Sequence, residues 1–122
     1  MNKYSEMSDF EVNDEVVESL GLYHLMYYSY DPYFIIWDVA SNDLYNGFTS
    51  KKGHEFNPCN DKTIAFQLMI DNKLDLDFNP LTHSWSCRKL THKNYFSSLN
   101  ENPCRAIAEC FLLIKDAEKD NE

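Results

Sequence analysis

The run Ser8-Asp9-Phe10-Glu11 fixes where the first helix of this chain begins, and Gly21 fixes where it stops. A serine with a glutamate three residues later forms a capping box. The hydroxyl accepts from the amide of Glu11, and the Glu11 carboxylate accepts from the amide of Ser8. Met7 and Val12 stand where a hydrophobic staple would close the same end, and Asp9 and Glu11 favour the positive end of the helix dipole. Phe10, Val17 and Leu20, with Val16 beside them, supply an inward stripe. Glycine is the residue that most readily turns out of a helix, so a helix over Asp9–Leu20 is expected.

Beyond Gly21 the chain is crowded with aromatic and β-branched residues. Leu22-Tyr23-His24-Leu25-Met26-Tyr27-Tyr28-Ser29-Tyr30 precedes Asp31-Pro32, and Tyr33-Phe34-Ile35-Ile36-Trp37-Asp38-Val39 follows it. Such side chains suit a pleated surface, and a turn signal between two runs of them predicts paired strands. Residues 41–56 are polar and read as a loop with room for one short strand. Asn60 is placed to cap a helix beginning at Asp61, with Ile64, Leu68, Ala65 and Met69 inward and Asp71-Asn72 at its end. Residues 73–78 alternate strictly, with Leu74, Leu76 and Phe78 against Asp75 and Asp77, which is the pattern of a half-exposed strand.

Asn79-Pro80 turns the chain, and Ser84–Leu90 can pair back with Trp85 and Cys87 on one face. After a polar stretch, Asn102-Pro103 matches N-cap and first helical position. A helix over 103–118 then carries Cys104, Ile107, Ala108, Phe111, Leu112 and Ile114 on a broad apolar stripe, with a tail that frays from about residue 117. With 122 residues, three Gly and four Pro, the chain has room for one core and no linker. These signals predict a single α+β domain, an antiparallel sheet covered by about three helices.

Net charge is −9 and unevenly placed. Residues 1–50 hold nine Asp and Glu against Lys3 alone, whereas residues 51–122 hold eleven acids against ten bases. An acidic first half repels phosphate, which argues against direct binding of nucleic acid there. No apolar run is long enough to span a membrane. Nothing resembling a secretory leader follows Met1, so a cytoplasmic setting with four reduced, packed cysteines (Cys59, Cys87, Cys104, Cys110) is expected.

Chemistry-bearing residues are few and scattered. His83, Cys87 and His92 could offer a metal three ligands only if they converged across a turn, and His54 and Cys59 form the other mixed pair. Scattered histidines and packed cysteines account for both more simply, so no metal site is expected. Cys59 precedes a helix start, where the dipole would lower a thiol pKa, but only His54 is nearby as a base. Asp75 and Asp77 could share a cation with Asp71; solvated outer-face carboxylates are the simpler reading. No phosphate loop or nucleotide fingerprint is present. Neither catalysis nor a cofactor is expected.

Three segments resemble one family. Tyr4-Ser5-Glu6-Met7-Ser8-Asp9-Phe10-Glu11-Val12-Asn13 is similar to the opening motif of the NinX family, small accessory proteins of lambdoid phages. Phe56-Asn57-Pro58-Cys59-Asn60 is similar to its middle motif. Asn102-Pro103-Cys104-Arg105-Ala106-Ile107-Ala108-Glu109-Cys110-Phe111-Leu112-Leu113 is similar to its closing helix. Family members often carry Trp-Pro where this chain has Phe66-Gln67, and residues 22–39 have no counterpart there. The resemblance implies a phage origin and an α/β/α-like sandwich, without an activity.

The acid-rich half and its clustered aromatics together predict a non-catalytic binding protein. Glu11, Glu15 and Glu18 on the first helix, with Tyr27, Tyr28, Tyr30, Tyr33 and Trp37, would form a face that occupies a basic, nucleic-acid-handling surface on a host protein. An inhibitor of host antiphage defence is one concrete form. The rivals are a small metal- or thiol-dependent enzyme and a homodimer joined through the aromatic strand.

Overall fold

The computed structural model describes residues 2–30, 32–40, 44–45 and 48–120, and in it α1 spans Asp9–Leu20, as the capping box and Gly21 require. Ser8 Oγ accepts from the Glu11 amide at 3.1 Å, and Glu11 Oε1 accepts from the Ser8 amide at 3.0 Å. Gly21 leaves the helix at φ 68°, a conformation in which a side chain would be strained. The buried side of α1 is Val12, Asn13, Val16 and Val17. Of the expected Phe10–Val17–Leu20 stripe, Val17 is buried, whereas Phe10, about 20° past Val17 on the helix wheel, and Leu20, at the end of the helix, are half-buried at the edge of the core.

A 3-10 turn over Tyr23–Leu25 leads into β1 (Met26–Ser29), which pairs antiparallel with β2 (Phe34–Trp37). The register sets Met26, Tyr28, Ile35 and Trp37 on the core side and Tyr27, Ser29, Phe34 and Ile36 on the other. Two short strands, β3 (Leu44–Tyr45) and β4 (Phe48–Thr49), pair with each other in the stretch expected as loop. Residues 41–43 and 46–47 of that stretch lie outside the described residues.

Helix α2 covers Lys62–Asn72 and buries Ile64, Ala65 and Leu68. Its cap is Asp61, not Asn60: Asp61 Oδ1 accepts from the Thr63 amide at 2.9 Å. Asn60 instead donates to Asp9 and Asn57. β5 (Asp75–Asn79), β6 (Ser84–Leu90) and β7 (Tyr95–Asn100) form a three-stranded antiparallel sheet. β7 replaces the expected polar stretch. Its alternation is hidden because an inward position is Ser98, whose hydroxyl donates to the Ala106 carbonyl and so satisfies itself inside the core.

Helix α3 (Pro103–Asp120) starts at Asn102, whose Oδ1 accepts from the Cys104 amide at 2.9 Å. It is the centre of the fold: residues from Cys104 to Leu112 are all buried, and the helix packs on α1, α2, β6 and β7. Each large apolar side chain buried there, Phe111 and Leu112 among them, contributes roughly 1.5–3 kcal/mol. The cross-strand row Leu76–Cys87–Ser98 lies on the sheet face turned toward α3. The opposite face carries Asp75, Asp77 and Arg88 and exposes Leu90, Tyr95 and Leu99.

The fold is therefore α+β. Among the described residues its strands divide into antiparallel sheets of two, two and three strands, where one sheet was the economical expectation. α3 covers the largest sheet on one face only, so the sheet is not enclosed as the α/β/α-like layering would have it. No helix among the described residues is long and apolar enough to cross a membrane.

Side-chain hydrogen bonds tie three distant segments together. Asn13 Oδ1 accepts from the Cys59 amide at 3.0 Å, and Asn102 Nδ2 donates to the Cys59 carbonyl at 2.8 Å, so asparagines from two ends of the chain hold the backbone of one residue on both sides. Asn13 Nδ2 also donates to Asn57 at 2.8 Å. Beside them, buried Arg105 donates to Glu109, Asp9 and the carbonyls of Tyr4 and Met7. The opening, middle and closing segments of the chain therefore meet at one cluster of internally satisfied polar groups.

Candidate functional site

Five aromatic rings form a continuous row where the β1–β2 hairpin meets α1. Tyr23 stacks on Tyr28 at 6.1 Å between centroids, and Tyr28 meets Phe10 edge-on at 6.2 Å. Phe10 packs on Tyr33 at 5.5 Å, and Tyr33 meets Tyr30 edge-on at 5.6 Å. These are the offset and edge-to-face arrangements that ring quadrupoles favour. Strand alternation turns Tyr28 toward α1, and the turn after Ser29 carries Tyr30 and Tyr33 out along its flank. Tyr30 is 77% exposed, Tyr33 59% and Tyr23 47%.

The row borders an acidic arc. On a helix wheel Phe10, Asp14, Glu18, Glu11 and Glu15 follow one another around the outer side of α1. Asp14 joins the two features, since Oδ1 accepts from the Tyr28 hydroxyl at 2.7 Å and from the Tyr23 hydroxyl at 3.0 Å. Burial, then the bond to Asp14, pushes the Tyr23 phenol up to about 12, and Tyr28 is raised by the same causes. Both stay protonated and hold Asp14 in place. The amide of Ser8 keeps the Glu11 carboxyl below its usual range, whereas burial, then Glu18 and Asp14, raise that of Glu15.

The structure thus brings together Glu11, Glu15, Glu18, Tyr28, Tyr30 and Tyr33 and adds Phe10, Asp14 and Tyr23, which sequence reasoning had not placed on the face. The i, i+4 spacing of Phe10 and Asp14 was the available signal. Two expected members fall elsewhere. Trp37 is 3% exposed and packs edge-on against Phe56 at 5.5 Å. It is a core residue that shows only an edge to a cleft of about 550 Å³ between β2, β4 and α2. Tyr27, paired with Ile36, lies on the opposite face of the hairpin.

The other candidates are dispersed. Cys59 is fully buried, and burial followed by the charge of Asp9 pushes its thiol up to about 12, the reverse of the thiolate a helix start would favour. Cys87 is buried against Cys110, which together with burial raises its thiol, whereas His83 and His92 are exposed beyond opposite ends of β6. Asp77 pairs with Arg88, and Asp71 accepts from Gln67. Among the described residues no three His, Cys, Asp or Glu side chains gather around a common point. All four cysteines are free and buried.

No protein-family model, no curated protein and no solved structure matches this chain.

Proposed function

We propose that this chain is a non-catalytic binding protein that uses the aromatic row and the outer arc of α1 to occupy a basic surface on another protein. The observation that carries this reading is the juxtaposition itself: a row of five rings in contact, three of them exposed, bordered by Glu11, Asp14, Glu15 and Glu18. Tyrosine offers large contact area with few rotamers to freeze, and uncompensated carboxylates speed the approach of a cationic partner. Pre-locking of Tyr23 and Tyr28 by Asp14 lowers the ordering cost of binding.

The same charge disfavours a nucleic acid as the direct ligand. The NinX-like segments make a phage protein acting on a host nuclease, defence complex or regulator the first class of system to try. The test is capture from a bacterial host extract on the immobilised chain, beside a Glu15→Lys/Glu18→Lys variant whose fold is checked by thermal denaturation. A specific partner held by the wild type should be lost to the variant and to raised salt. A partner retained by both would refute the assignment of the face.

A further inference from the structure

Residues 4–50 contain no Lys or Arg, so the local sequence supplies the aromatic row with no cation of its own. Ring faces attract cations, and the molecule uses this elsewhere. Lys3 Nζ lies 5.1 Å from the Tyr4 centroid, and Lys115 Nζ 5.5 Å from that of Phe111. Among the described residues no such contact is made to Phe10, Tyr23, Tyr28, Tyr30 or Tyr33, although three of these five rings are exposed.

We infer that the groups this face selects are arginine guanidiniums in preference to lysine ammoniums, an inference that rests on the reading of the face as a site for a basic partner. An ammonium is compact and strongly hydrated, so it gives up more hydration than a guanidinium when it lies against a ring face. A guanidinium is planar and weakly hydrated. It can lie flat on one ring while its fork of N–H donors reaches a carboxylate beside that ring. Rings and acids adjoin at Asp14, which accepts from the Tyr23 and Tyr28 hydroxyls. Tyr30 and Tyr33 stand at 83° to one another and Phe10 is tilted 47° to Tyr33, so ring faces point in several directions along the hairpin. Glu11 and Glu18, both exposed, lie along the adjoining arc of α1. A surface built for charge alone would need the acids without the rings.

The experiment titrates the full chain with two synthetic peptides of equal length and charge, one alternating arginine and glycine, the other lysine and glycine. The arginine peptide should bind more tightly, on the order of five-fold. Tyr30→Leu/Tyr33→Leu should bring it down toward the lysine level and weaken the lysine peptide less. Tyr33→Phe, which keeps the ring, should preserve the preference, and Glu18→Gln should weaken both peptides, the arginine peptide more. Thermal denaturation shows whether each variant folds. Equal affinity for the two peptides, or an arginine preference that survives loss of both rings, overturns the selection and leaves the basic-partner reading standing. Binding of neither peptide overturns that reading as well.

Discussion

Arg105 on α3 donates its Nη1 to Asp9 at the start of α1 at 2.5 Å, across 96 positions of sequence. The same guanidinium donates Nε to Glu109 at 2.7 Å and Nη2 to the carbonyls of Tyr4 and Met7. One side chain thereby closes the N-terminal segment onto the central helix. Burial disfavours its charge, but the bonds to Asp9 and Glu109 outweigh this and raise its pKa.

Arg105→Met should destabilise the protein by about 3–5 kcal/mol, because it strands the buried carboxylate of Glu109. The double variant Arg105→Met/Glu109→Leu should recover part of that loss, since it leaves no unpaired charge inside. Urea denaturation measures both. A double variant no more stable than the single one would show that the pair does not act as a unit.

Ser8→Ala removes one bond of the capping box and should cost on the order of 1 kcal/mol. An unchanged denaturation midpoint would mean that α1 does not depend on this cap.

Glu11 and Glu15 should act on stability in opposite senses as pH changes. The folded pKa of Glu11 is lowered from its ordinary 4.5, so its contribution is present above that value and is lost as pH falls through the depressed one. That of Glu15 is raised, so ionised Glu15 costs stability once pH climbs past its folded pKa. Glu15→Gln should therefore raise Tm at pH 7 and leave it nearly unchanged at pH 3. An equal effect at both pH values would exclude an electrostatic origin.

Thiol titration should find four groups in denaturant without reductant and almost none in the native protein, because all four cysteines are buried. A fast-reacting thiol in native buffer would contradict the burial of Cys59 and its pKa near 12.

Once a partner is in hand, Glu15→Lys/Glu18→Lys should chiefly slow association, and more so at low salt. Tyr33→Ala should instead speed dissociation. Trp37→Ala should behave as a core variant, costing about 3–5 kcal/mol of stability. Stopped-flow kinetics beside thermal melts separates the three. A Trp37→Ala protein of normal stability with weakened binding would return Trp37 to the face.

By itself the sequence determined what depends on hydrogen bonds and periodicity within a few residues. The ends of α1, the β5–β6 hairpin and the start of α3 at Asn102 were all legible in this way. A cap acts on an amide three positions away, and a strand declares its faces when one side is acidic and the other apolar. The tertiary structure decided the rest. In Tyr27-Tyr28 and in Ile36-Trp37 both faces of the strand are large and apolar, so alternation cannot say which is inward. Only pairing across β1–β2 and packing against α1 sent Trp37 to the core and Tyr28 to Asp14. β7 stayed hidden because Ser98, polar at an inward position, finds its acceptor in a helix that folds back over it. Asn60 lost the capping role to Asp61, and its side-chain oxygen accepts instead from Asn102, 42 residues later. Local preferences place the elements, and polar groups that must find partners far along the chain choose how they meet.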